Sequence, residues 1–119
     1  MNNFYVNEET FKNIAKLDQT CDINLLDELI VLFNEETPKR IKEIKKATFE
    51  LNFVELTKAA QSLKSGSAYL GAEQLALLGN EIESSATNNE IPRNMETLVG
   101  DLEHFYSLAK EFFNNKKAA

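Results

Sequence analysis

Ala59-Ala60-Gln61-Ser62-Leu63-Lys64-Ser65-Gly66-Ser67-Ala68-Tyr69-Leu70-Gly71-Ala72 is the stretch on which the reading of this chain turns. With Phe53 and Leu56 ahead of it, apolar or small residues recur at Phe53, Leu56, Ala60, Leu63, Ser67 and Leu70. Steps of three and four make one face of a helix. Gly71 marks its end, since glycine tolerates the left-handed backbone that terminates helices. Nine of these fourteen residues are Ala, Ser or Gly. Ala60, Leu63 and Ser67 lie on the apolar stripe, where tight packing accounts for them. Thr57, Gln61, Lys64, Ser65 and Ala68 fall off it, on an outward face. Small residues there leave bare backbone around one long amide and one lysine. Core packing does not require that, whereas a docking surface does.

The flanking sequence continues the helical pattern. Phe11, Ile14 and Leu17/Asp18 fit a short first helix, with Asn7 as its cap and Glu8 and Glu9 in the first turn, where the helix dipole favours acids. Leu17 to Ile23 reads as a loop, and Asp22 as the cap of the next helix. Leu26, Leu29/Ile30, Phe33, Thr37, Ile41, Ile44 and Thr48 form a long stripe that keeps phase across Pro38. That favours one kinked helix over a break in which Pro38 opens a new one. Leu51-Asn52 is a turn. Leu75, Leu78, Ile82 and Ala86 define a further helix, Thr87 to Pro92 a loop, and Leu98, Leu102, Phe105, Ala109 and Phe112 a last helix. The tail from Asn114 is expected to fray. The expectation is an all-α fold: an up-down-up-down four-helix bundle whose short N-terminal helix covers one end. It occupies residues 1–119 as a single domain, with its core at about 4–113.

Composition narrows the function. The chain has 119 residues, 43% hydrophobic and 27% charged, enough for one core. The longest apolar run, Leu29 to Phe33, is far short of a membrane span. Met1 to Tyr5 has no basic start and no apolar stretch, so no signal peptide is expected and the location is expected to be cytoplasmic. The one cysteine, Cys21, makes neither a disulfide within the chain nor a cysteine zinc site. The one histidine, His104, excludes any site needing two imidazoles. Asp101 and His104 supply only half of what a di-iron carboxylate bundle needs. His104 itself falls off its helix stripe, as a solvated residue would. Ser65 and Ser67 have no histidine nearby in sequence and Cys21 lies in an acidic stretch, so none has a base to activate it. Ser65-Gly66-Ser67 follows a helix pattern, not the strand that a phosphate-binding loop follows. No cofactor and no metal are expected.

The net charge of −6 speaks against a nucleic-acid partner. It is unevenly spread. Residues 1–37 hold two lysines and eight acids, residues 38–64 seven basic residues and three acids, and residues 65–119 four and eight. The basic middle suits either an acidic partner or a solvated face with Lys/Glu pairs.

The run from Ala60 to Ala72 resembles the signature of histidine phosphotransfer (Hpt) domains, roughly Ala-His-x-Leu-Lys-Gly/Ser-Ser/Gly-Ser/Ala-x-x-Leu-Gly-Ala. The likeness extends to Leu75, Leu78 and Ile82-Glu83, and upstream to Leu29–Phe33, Pro38 and Ala47. It implies a helical bundle that acts in a two-component phosphorelay as a non-catalytic intermediate, docking response-regulator receiver domains or hybrid histidine kinases. It also implies the site: Lys64 offsetting phosphoryl charge, Ser65 giving room for a receiver's acidic pocket, Thr57, Lys58, Ser62 and Ala68 around the docking surface, and Gly71 ending the helix. Ile14, Leu17 and Leu25 are candidates to complete the receiver patch, though core packing explains them equally well. By analogy with such bundles a monomer is expected.

One position departs from the family pattern. The phosphoryl-accepting histidine falls on Gln61, whose amide nitrogen shares its lone pair with the carbonyl and is no nucleophile. Two explanations stand side by side: a natural pseudo-Hpt protein that binds receivers without relaying phosphate, or a His-to-Gln variant of an active phosphotransfer protein. A generic four-helix scaffold without a phosphorelay role is the alternative to both.

Overall fold

A computed structural model describes residues 6–20 and 25–117. Five helices follow one another: α1 Glu8–Thr20, α2 Leu25–Glu50, α3 Phe53–Tyr69, α4 Glu73–Thr87 and α5 Met95–Lys117. Helices α2 to α5 form the expected all-helical bundle. Its neighbours run in the cycle α2–α3–α4–α5, so that α3 and α5 stand on a diagonal. The pairing of α2 and α5 is antiparallel, because Asn34 bonds Asn114 while Lys45 reaches Glu103.

Each inward stripe is built as the spacing implies. Ile30, Phe33, Thr37, Ile41 and Ile44 of α2 meet Leu56, Ala60 and Leu63 of α3, Leu75, Leu78 and Ile82 of α4, and Leu98, Leu102 and Ala109 of α5. On α2, Ala47 takes the buried place expected of Thr48, whose hydroxyl instead donates to the Ile44 carbonyl at 2.7 Å. On α5 the buried aromatic is Phe113, fully enclosed, rather than Phe112, which is half-buried. From Ala109 the step is four, and that step carries Phe113 between the rings of Phe11 at 5.6 Å and Phe33 at 5.1 Å. The helix runs to Lys117 instead of fraying at Asn114, since this aromatic cluster anchors its last turns.

Helix α1 closes the end of the bundle where α3 gives way to α4. Asn7 does this with three bonds. Its Oδ1 accepts the Thr10 amide at 3.1 Å and caps α1; its own amide donates to the Gly71 carbonyl at 2.5 Å; its Nδ2 donates to Glu73 Oε1 at 2.6 Å. The helix continues to Thr20, so Leu17 to Thr20 are not the loop that was expected. Cys21 and Asp22, and the side chains of Leu17 and Leu25, lie outside the described residues.

Pro38 sits inside α2, which runs through it unbroken. A proline supplies no N–H to the carbonyl one turn back, here that of Asn34. The Tyr106 hydroxyl of α5 donates to this carbonyl at 3.3 Å, so a neighbouring helix answers the acceptor that the proline leaves open. Burial pushes the Tyr106 phenol above its ordinary range, which keeps it a protonated donor. Tyr106→Phe is expected to lower stability by about 1 kcal/mol. In a Pro38→Ala background, where an amide at 38 can bond Asn34, the same change is expected to cost clearly less. Urea denaturation of the four proteins checks this.

Candidate functional site

Helix α3 begins where Asn52 Oδ1 accepts the Glu55 amide at 3.2 Å, and it ends in the turn at Gly71, whose φ is +83°. A side chain at Gly71 would be strained by that backbone, and its Cβ would stand 2.8 Å from the Asn7 carbonyl oxygen. Glycine is therefore required twice over, once for the turn and once for the approach of α1.

The outward residues of α3 are laid out as the spacing indicates. Gln61, Ser62, Ser65, Gly66, Ala68 and Tyr69 are exposed. Thr57 is half-buried, with its hydroxyl turned back to the Phe53 carbonyl at 2.8 Å. Lys58 is exposed, with Glu55 Oε1 at 3.9 Å. Beside this face lies a groove of about 390 Å³ between α2 and α3, walled by Leu29, Leu32 and Phe33 on one side and Ser62, Gly66 and Tyr69 on the other. A Cβ added at Gly66 would meet nothing within 4 Å, so no contact inside the fold demands glycine there.

Lys64 differs from its expected setting. Its ammonium is paired with Glu83 of α4, and both side chains are partly buried. The pair depends on close packing of the two helices. At Gly79 a Cβ would stand 3.1 Å from the Ala60 carbonyl and 3.2 Å from Lys64 Cβ. Glu83 is the site neighbour that spacing within α3 could not show, because it comes from another helix.

Three further expectations meet the structure here. Ile14 is buried in the core, so it does not belong to a surface patch. Of the seven basic residues in 38–64, Arg40, Lys45, Lys58 and Lys64 face carboxylates within the fold, so the Lys/Glu pairing accounts for much of that segment. His104 is exposed on α5, diagonal to α3. Among the described residues no group of three or more His, Cys, Asp or Glu is placed to hold a metal ion, and no helix is long and apolar enough to cross a membrane.

Residues 28–111 match the sequence profile of the Hpt domain. The chain belongs to the Hpt domain family. Hpt domains are phosphotransfer intermediates rather than classical enzymes, and they work with kinases and response regulators, so this Hpt chain is a phosphotransfer signalling module. Its fold is similar to the crystal structure of histidine-containing phosphotransfer protein B from Pseudomonas aeruginosa PAO1. The TM-score is 0.82, with 21% identity over 96% of this chain and 95% of that one. No curated protein sequence matches the chain.

Two glycines of this Hpt helix region should answer the same substitution with opposite signs. Gly71→Ala is expected to cost at least about 1 kcal/mol, through the positive φ and the contact with Asn7. Gly66→Ala, in an open helix interior, is expected to add about 0.5–1 kcal/mol. Thermal melts of both variants against the parent read the difference.

Proposed function

We propose that this Hpt domain docks response-regulator receiver domains on the outer face of α3 and does not itself accept a phosphoryl group there. The observation that carries the reading is the exposure of Gln61 among Ser62, Ser65 and Ala68, beside an apolar groove. Small side chains let a partner's loops approach the helix, and the groove offers apolar area to bury. Thr57, Lys58, Gln61, Ser62, Lys64, Ser65 and Ala68 make up the docking surface, with Gly71 holding its end in place.

Position 61 is where the family pattern puts the acceptor histidine. An imidazole nitrogen keeps a free lone pair at neutral pH and can attack phosphorus. The carboxamide of Gln61 cannot, because resonance commits its nitrogen lone pair. It still offers a donor and an acceptor of similar reach, so docking survives the loss of transfer. His104 is no substitute, since it projects from α5 on the diagonal. Lys64 lies one turn after Gln61, and its charge is already shared with Glu83.

Incubation with a phosphorylated receiver tests the reading. In Gln61→His the imidazole nitrogen attacks the aspartyl phosphate, the P–O bond to the carboxylate breaks, and the carboxylate leaves. Acid-labile phosphate is expected on Gln61→His and none on the parent chain. Calorimetry is expected to show both forms binding the receiver with affinities within about tenfold of each other, a difference of no more than ~1.4 kcal/mol. Binding by neither form would overturn the docking, and binding without transfer to Gln61→His would overturn the assignment of position 61.

A further inference from the structure

The outer face of α3 has two flanks. At about 100° per residue, Gln61, Lys64 and Ala68 lean toward α4, whereas Ser62, Gly66 and Tyr69 lean toward α2. The α2 flank forms a wall of the groove already described. On the α4 flank, Lys64 and Ala68 border a second recess of about 410 Å³, whose other side is made by Ala76, Leu77 and Asn80 of α4. Leu77 is 61% exposed, the one large apolar side chain that α4 leaves in water among the described residues.

The charges of this recess are already in use. The Lys64 ammonium is paired with Glu83, and Glu73 accepts the side-chain amide of Asn7. The other polar members, Thr10 and Asn80, are neutral. What the recess keeps for a visitor is apolar: the Leu77 side chain and the methyl groups of Ala68 and Ala76. It suits an apolar side chain of a partner better than an acidic one.

Its position says which partner that is. A Cβ at Gly79 would touch Ala60, Leu63 and Lys64, so this turn of α4 stands level with Gln61. Leu77 is two residues before Gly79, ~3 Å along the axis. Packed helix axes lie ~8–10 Å apart. A specific protein interface covers ~800 Å² of each partner, a disc of ~16 Å radius. A body of that size centred on Gln61 therefore crosses the seam between α3 and α4 and covers Leu77.

We propose that a receiver domain seated on α3 also fills the α3–α4 recess, with an apolar side chain placed against Leu77. This rests on the docking reading above and extends it to α4, which carries none of the residues assigned there. Leu77 is then a binding residue that gives the interface part of its affinity, while Lys64 remains committed to Glu83.

Calorimetry with the isolated receiver domain of the transfer assay tests this on the full chain. Leu77→Asp is expected to weaken binding at least about tenfold, since it sets a charge in an apolar contact. Leu77→Met is expected to stay within about threefold of the parent, because an unbranched apolar chain fills the same recess. Phe49→Asp alters an even more exposed apolar residue, in the groove between α2 and α5, and is expected to bind as the parent does. All three side chains stand on the surface, so the melting temperatures are expected to match that of the parent. If the parent binds the receiver and Leu77→Asp binds it equally well, the α4 contact is overturned and docking on α3 stands. Equal weakening by Phe49→Asp and Leu77→Asp also overturns it. A receiver that binds neither the parent nor Gln61→His removes the docking reading, and this inference with it.

Discussion

The approach of α4 to α3 at Gly79 is the constraint from which the rest of the site follows. With no side chain at 79, the backbone of α4 comes within reach of the Ala60 carbonyl and the Lys64 Cβ. That closeness brings Glu83 to the Lys64 ammonium and commits the lysine to the fold. It also buries the inner side of α3 so completely that the opposite side can do without packing residues. Gln61, Ser62, Ser65 and Gly66 then lie open along one helix. A bulkier residue at 79 would push α4 outward, part the ion pair and loosen the helix that carries the open face.

A second dependence runs through α2. A proline in the middle of a 26-residue helix leaves one carbonyl without its usual donor. Here that carbonyl is bonded by Tyr106 from α5, so a local defect becomes a contact between helices. The same region of α2 forms one wall of the groove beside Gln61. The helix that carries Leu29, Leu32 and Phe33 along that wall is therefore tied to a hydroxyl of the neighbouring α5.

Much of this architecture could be read from residue spacing, because a helix that must bury one face repeats its apolar residues every three or four positions. The stripe of α2 kept its phase across Pro38, and the helix is continuous there. Gly71 was readable as a helix end for the same kind of reason, since few residues other than glycine accept its backbone. What spacing could not show is which helix supplies a partner. Lys64 looked like a free cation from within α3, and only the packing of α4 brings in Glu83. Ile14 could serve core or surface on periodicity alone, and the position of α1 against the aromatic cluster decided for the core. The exchange of Phe112 for Phe113 has a similar origin, since both lie near the stripe and the rings of Phe11 and Phe33 select one. Asn7 was readable as a cap, but its hold on Gly71 and Glu73 spans more than sixty residues and leaves no local trace.

Tyr69 has a consequence of a spectroscopic kind. The chain contains no tryptophan and three tyrosines, so its near-ultraviolet emission comes from tyrosine alone. Tyr106 is half-buried and already committed to a carbonyl of the fold. Tyr69 is 63% exposed and stands on the wall of the groove beside Gln61. A macromolecule that covers this groove takes the Tyr69 phenol out of water while leaving Tyr106 as it was. The protein therefore carries an intrinsic optical label on the wall of this groove, and a tryptophan-free partner would make that label readable without any chemical tag.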